Sequence, residues 1–263
     1  MSVARGTTPD GTADEAQAAR WVQGMFGRVA GRYDLLNHLL SFQVDRAWRA
    51  TTAKRAEEIL RRPNARVLDL CCGTGDLMLE LEKRRRSFLA RGSGGEASVA
   101  APSPLVFGSD FCHPMLVEAN RKSGRKRARA AVFEADALQL PMLDASFDLI
   151  TVAFGFRNFA NYRKGLTELR RVLRPGGMLA ILEFSQPPNR LFAGLYAFYS
   201  KHVLPQVGAL ISGSSDAYTY LPESVRKFPG AELLAEEMRA MGYLNVEFER
   251  MTFGVVALHI GRA

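Results

Sequence analysis

Cysteine is scarce in this chain: there are three in 263 residues, Cys71, Cys72 and Cys112. An odd, low count builds no disulfide framework and fits a reducing, cytoplasmic setting. The four histidines, His38, His113, His202 and His259, lack metal-ligand spacing, and no second ligand cluster joins the Cys71–Cys72 pair, so no metal is expected. No apolar run reaches the length of a membrane-spanning helix, and the N-terminus lacks a signal-peptide core. These gaps turn the reading away from disulfide scaffolds, metalloproteins and integral membrane proteins.

What remains is ordinary globular material, 47% hydrophobic and 24% charged, enough for one large domain with a substantial core. The net charge of +8 is concentrated in Arg84-Arg85-Arg86 and in residues 121–129, RKSGRKRAR. Nucleic acid, anionic lipid and plain solvated surface all accommodate such runs, and plain surface is the default. Residues 1–18 are small, polar and rich in turn formers, which predicts a disordered tail before a domain spanning 19–263.

The chain is organised around RVLDLCCGTGDL, residues 66–77. Val67, Leu68 and Leu70 predict a buried strand, and Asp76 opens helical spacing. Gly73 and Gly75 permit a tight turn and close approach of backbone to a ligand, and the free N–H groups of the next helix face the same point. A dinucleotide fingerprint needs a third glycine where this chain has Met78, which weakens that reading. S-adenosylmethionine (SAM) has no phosphate, and its ammonium group would suit Asp69 at the strand end. Asp110, closing the apolar run 105–110, would suit its ribose hydroxyls. An ordinary strand–helix turn is the plain alternative. SAM is the working assignment.

Helical spacing in 25–42 and about 44–62 predicts helices lying as a lid (19–63) over the open edge of a sheet. A helix from Asp76 to about Arg86 is followed by a Gly/Ser/Ala/Pro-rich surface insertion, 87–104. A helix is expected at 113–121. Strands are expected at 130–137, ending in Asp136-Ala137 near the adenine, at 147–154 and at 178–185. Tyr162, Leu166, Leu169 and Leu173 mark the helix between the last two. Beyond Ser185 come an aromatic helix (191–205), an irregular stretch (208–224), a helix at about 230–241, and strands at 244–252 and 254–261 joined too tightly for a crossover. Alternating strands and helices predict an α/β fold, a doubly wound Rossmann-like sheet of seven strands with an antiparallel end, as in class I SAM-dependent methyltransferases.

Several segments then resemble one family in order. YDLLNHLLSFQVDRAW (33–48) and RVLRPGGMLAILEFS (171–185) resemble the two signatures of the ubiquinone/menaquinone biosynthesis C-methyltransferases. VLDLCCGTGD, GSDFCHPML, EADALQLP and FGFRN lie between them, and SGSSDAYTYLPESVRKFP and TFGVVALHIGRA follow. Asp45 stands where the family usually has histidine, Leu36 where it has methionine, and Ala153 where many members have a SAM-contacting serine. The resemblance implies SAM contacts at Thr74, Asp110, Asp136 and Ala137, with Asp69, Gly73 and Gly75 in the same turn and a backbone contact at Ala153. It implies methylation of a prenylated quinol, most simply demethylmenaquinol, with a polyprenyl-methoxy-benzoquinol as the alternative. Arg157 and Asn158 are then candidate catalytic residues, the former stabilising a forming phenolate or, more plainly, neutralising Asp148 or a helix end. Tyr33 is a candidate partner of the ring oxygens, or a packing residue.

The substrate's tail implies transient contact with a membrane surface, for which the basic run 121–129 is the candidate, and a homodimer is left open. A nucleic-acid methyltransferase is the competing class. It is disfavoured because none of the cysteines follows a proline and FGFR occupies the place of an Asn/Asp-Pro-Pro-aromatic motif.

Overall fold

A computed structural model of the chain describes residues 6–92, 105–199 and 216–263. The framework is a seven-stranded sheet in the order β3-β2-β1-β4-β5-β7-β6. Its strands are β1 (Val67–Leu70), β2 (Val106–Asp110), β3 (Ala130–Glu134), β4 (Phe147–Ala153), β5 (Leu173–Phe184), β6 (Leu244–Met251) and β7 (Val256–Arg262). All pairs from β3 to β5 are parallel, and β7 pairs antiparallel with both β5 and β6. Successive side chains of β1 point to opposite faces. Val67 enters one core and Leu68 and Leu70 the other, which is why the strand reads as a continuous apolar run.

The first face is covered by α3 (Val44–Arg55), α4 (Glu57–Leu60) and α5 (Asp76–Gly92), through Trp48, Ile59, Leu77 and Leu81. The second is covered by α7 (Tyr162–Val172) and α10 (Ala231–Ala240), through Leu166, Leu169, Leu234 and Met238. Leu166, Leu169 and Val172 repeat at helical spacing, and Asn161 caps α7 by accepting from Lys164 N–H at 3.0 Å.

Along the carboxyl edge of the sheet lie α1 (Glu15–Val29), a 3-10 turn at Ala30–Arg32 and α2 (Tyr33–Leu40). Beside them stand α6 (His113–Arg125), α8 (Arg190–Phe198) and α9 (Asp216–Lys227), the last with Pro222 inside it.

Several boundaries differ from the sequence reading. The polar stretch 1–18 was expected to be disordered, yet the described chain from Gly6 is tied down. Thr7 N–H donates to Phe159 O at 2.8 Å, and Asp14 caps α1 by accepting from Gln17 N–H at 2.7 Å. Tertiary partners supply what local propensity lacks. The lid is shorter than expected: α1 and α2 lie over the strand ends, but α3 and α4 are core helices, with Ala53, Ala56, Ile59 and Leu60 fully buried. α5 runs on to Gly92, and the rest of the expected insertion, 93–104, lies outside the described residues. β3 stops at Glu134, and β5 starts at Leu173, taking Pro175-Gly176-Gly177 into the strand with an irregular register beside Phe147–Leu149. Part of the stretch expected to be irregular forms α9, and the aromatic helix is described only as far as Tyr199.

Because Ile59 is packed in the core and lines neither cavity at the carboxyl edge of the sheet, Ile59→Ala should lower unfolding free energy by about 2–5 kcal/mol in urea denaturation. Its cost should fall on stability and leave ligand affinity unchanged.

Candidate active site

β1 and its neighbour β4 both leave the sheet through a left-handed residue, Cys71 (φ 53°) and Phe154 (φ 60°). Such backbone is strained for side chains with a Cβ and is retained where surrounding structure enforces it. The two turns touch: a Cβ on Gly155 would lie 2.3 Å from that of Cys71, so only glycine fits. Gly73 (φ 54°) then brings bare backbone to the surface of a cavity of about 390 Å³.

That cavity gathers Gly73, Asp110, Asp136, Ala137, Ala153, Asn158 and Tyr33, seven of the residues singled out in the sequence. α1 closes it with Ala19, Gln23 and Phe26. The Asp110 carboxylate is held by two backbone donors, Gly73 N–H and Cys112 N–H, each at 2.9 Å. Burial pushes its pKa up to about 6 against those bonds. Asp136 accepts from Leu138 N–H at 2.8 Å.

Asp69 lies beneath the cavity rather than on its wall. Its Oδ1 accepts from the Thr151 hydroxyl at 2.7 Å, while Oδ2 is buried with no hydrogen bond among the described residues. Burial pushes this carboxyl up to about 7, with the Thr151 hydroxyl and the nearby Met78 N–H acting against it. An unpartnered carboxylate oxygen beneath a cavity suits a cationic amine. Gly75 packs against Met78 and Ala119 instead of lining the cavity. Thr74 is turned away as well: its hydroxyl donates to Asp34 and accepts from Lys122 Nζ at 3.0 Å. Lys122 also pairs with Asp34 and Asp76, both at 2.6 Å, so this cluster fastens α2 to the glycine turn and α6. Both thiols beside the turn have pKa values raised by burial, which keeps Cys71 and Cys72 protonated.

A second, more apolar cavity of about 270 Å³ adjoins the first, and Phe26, Tyr33 and Phe154 border both. Trp48, Phe184, Tyr196, Tyr199 and Tyr220 contribute to its wall. Arg157 lies here, on the 3-10 turn Phe156–Asn158. Its partner is Glu183 at the end of β5, which accepts from Arg157 Nη1 at 2.8 Å and from Arg157 N–H at 3.1 Å. The same Nη1 donates to Phe154 O, and Nε is buried without a partner. Burial disfavours the guanidinium charge, but Glu183 outweighs it and holds the pKa above the ordinary value. Asp148 is instead paired with Arg174 at 2.7 Å, so the acid that Arg157 neutralises is Glu183 and not Asp148. Tyr33 has its pKa raised by burial, with Arg157 acting against the shift. Asn158 Oδ1 accepts from Tyr220 OH at 3.0 Å, and that hydroxyl shares a 2.6 Å hydrogen bond with Thr7.

Asp45 is buried at the edge of the second cavity, bonded to His38 Nδ1 and Ser41 Oγ at 2.8 and 2.7 Å and paired with Arg49. Burial opposes its charge, but Ser41 and Arg49 prevail and hold its pKa below the usual carboxylate range. His38, Asp45 and Asp76 bring ligand atoms within 4.8 Å of one another, a grouping that sequence spacing does not reveal. Both carboxylates already have cationic partners in Arg49 and Lys122.

Sequence reasoning passed over Glu183 and undervalued Tyr220. An acid inside the apolar run MLAILEF was the available signal for the first. For Tyr220 there was none, because its partners Thr7 and Asn158 are distant in the chain.

Two outcomes follow from this geometry. The raised pKa of Asp69 favours its protonated form in the folded state, so its contribution to stability is full below about pH 4 and lost as pH rises through about 7. Asp69→Asn should therefore melt above wild type at pH 8, with a gain that shrinks toward pH 5 in scanning calorimetry. Glu183→Gln should loosen Arg157, lowering methyl-transfer kcat by about tenfold or more with SAM affinity by titration calorimetry unchanged.

Comparison with known proteins agrees with this arrangement. A profile of the ubiE/COQ5 methyltransferase family matches residues 12–263. The demethylmenaquinone methyltransferase of Deinococcus radiodurans is 46% identical over 248 residues, covering 94% of this chain and 95% of that one. The enzyme of the same name from Thermus thermophilus is 48% identical over 238 residues, covering 90% and 99%. Among solved structures, a SAM-dependent methyltransferase from Thermotoga maritima, a possible histamine N-methyltransferase, shares the fold at a TM-score of 0.57. It is 17% identical, with 91% of this chain and 98% of that one covered. The glycine turn between β1 and α5, the seven-stranded order and a sequence match running from α1 to β7 coincide in one conclusion: the chain belongs to the ubiE/COQ5 methyltransferase family.

Proposed function

We propose that this protein transfers the methyl group of SAM to a ring carbon of a prenylated naphthoquinol, converting demethylmenaquinol to menaquinol. One observation carries the reading: two cavities of different character meet at Tyr33 and Phe154, one ringed by carboxylates and bare backbone, the other largely aromatic and reached by Arg157, whose buried partner is Glu183. The two relatives at 46% and 48% identity are named for demethylmenaquinone, which favours the naphthoquinol over a benzoquinol ring.

Asp110 and Asp136 would hold the hydroxyl and amino groups of SAM, Gly73, Ala137 and Ala153 would supply backbone contacts, and the unpartnered oxygen of Asp69 would meet its ammonium. When bound, SAM provides an electrophilic methyl group. The protein's own task is on the quinol. A phenol pKa is about 10, so the neutral ring is a poor carbon nucleophile near neutral pH. Arginine is effectively always protonated, and its role is therefore to stabilise negative charge on the ring oxygen as the bond forms. The pairing with Glu183 makes Arg157 and Glu183 together nearly neutral. The pair thus acts by directed N–H donors, and it avoids leaving an uncompensated buried cation when the cavity is empty. The Glu183 carboxylate grips the backbone of the turn as well as the guanidinium, which fixes where those donors point. Tyr33 and Asn158 border the meeting point and would orient the ring. As the methyl group replaces a ring hydrogen, one proton is released. The chemistry requires neither a metal nor a thiol.

The decisive assay incubates purified protein with SAM and chemically reduced demethylmenaquinone and reads methylated product by mass spectrometry. Wild type should turn over on the reduced quinone and fail on the oxidised one, and Arg157→Ala should lose about 100- to 1,000-fold in kcat. Turnover of the oxidised quinone, or full activity in Arg157→Ala, would overturn the assignment.

A further inference from the structure

The second cavity has its mouth at Phe42 and Val44, which line it yet stand in solvent, Phe42 being 77% exposed. Around that mouth, α2 and α8 are joined by Tyr199 OH donating to Leu40 O at 2.8 Å and by the Phe42 and Tyr199 rings at 6.2 Å. Each helix is two-sided. α2 turns Tyr33, Asn37 and Leu40 to the cavity, and α8 turns Tyr196 in the same direction. On their other sides, Leu35 and Leu39 are 61% and 47% exposed, and Leu191 and Leu195 are 71% and 58% exposed. Leucines at i and i+4 on adjoining helices make an apolar face that the cavity does not require. No acidic residue occurs in 35–44 or in α8, and Arg46, just beyond, is exposed.

We propose that the outward faces of α2 and α8, continuous through Phe42 with the mouth of the apolar cavity, form the surface on which this protein rests on a lipid bilayer. Short amphipathic helices bind this way, apolar side in the acyl boundary and without carboxylates facing the headgroups. The inference rests on the quinol reading. A long prenyl tail need not leave the hydrocarbon if the cavity opens directly against it, so only the ring has to rise to Arg157. The basic run 121–129 is poorly placed for this task. Lys122 is already engaged by Asp34 and Asp76, and the rest of the run ends α6 and leads into the amino-terminal end of β3, whereas both cavities open at the carboxyl edge.

The test uses the full chain with phosphatidylethanolamine–phosphatidylglycerol vesicles. Wild type should co-sediment, and Leu39→Ser/Leu191→Ser/Leu195→Ser should bind about tenfold more weakly or less. The triple variant should keep wild-type turnover of a water-soluble, short-tailed demethylnaphthoquinol and lose about tenfold on a long-tailed quinol embedded in the vesicles. An Arg125→Ala/Lys126→Ala protein should bind as wild type. Hydrogen exchange on wild type should show vesicle-dependent protection of α2 and α8, a readout that stands even if the triple variant fails to fold. Equal vesicle binding by wild type and triple variant, protection confined to other segments, or loss of binding in the Arg125/Lys126 protein would each overturn the proposal. So would a wild-type dimer in ultracentrifugation that the triple variant dissociates, because the face would then join two copies of the chain. If no protein methylates even the short-tailed quinol, the substrate reading fails, while sedimentation and exchange still decide the docking face.

Discussion

β1 pairs in parallel with β2 on one side and β4 on the other, so the chain must cross the sheet in opposite directions from this strand. A crevice at the carboxyl ends results, and in open α/β sheets ligands bind there. The site follows from that constraint. Cys71 and Phe154 both turn left-handed at the same level, Gly155 is pressed against Cys71, and Gly73 and Ala153 present backbone to the opening. Strain at two adjacent strand ends is tolerated because each strand is buried on both faces.

The crevice has two halves whose electrostatics differ. Toward β2 and β3 stand carboxylates, among them Asp110, whose pKa burial raises to about 6, and beneath them on β1 lies Asp69, raised to about 7. Toward β5 stands a guanidinium already matched by Glu183. Acids on one side suit hydroxyls and an amine, and a neutralised ion pair among aromatic rings suits an uncharged aromatic ligand whose oxygen gains charge during reaction. Tyr33 sits between the halves on α2, and α2 is fastened to the glycine turn through Asp34, Lys122 and Thr74. The lid and the donor half are thereby mechanically linked.

Most of the site residues named from sequence do gather in one place, and the reason is local. A strand followed by glycines has few conformations available, and acids at strand ends can only lie along the carboxyl edge. Other residues show where local logic ends. Thr74 is expected to face the donor, and its hydroxyl is held by Lys122, 48 residues away. Ala53 and Ile59 fall inside the expected lid, 19–63, yet are core residues, because amphipathic spacing says that one side is buried and not against what. Residues 6–18 looked disordered because their composition is polar. What orders them is Phe159 and Tyr220, which no local pattern anticipates.

The sheet, the turn after β1, the antiparallel end and the chemical class are legible in the order of residues alone. Periodicity, glycine placement and ordered motifs are short-range properties that survive without coordinates. Three features emerge only on folding: Arg157 pairs with Glu183 and not Asp148, the crevice is divided into two cavities, and α2 and α8 expose leucine outside the mouth of one of them. Those facts depend on which distant side chains meet, and packing rather than propensity settles that.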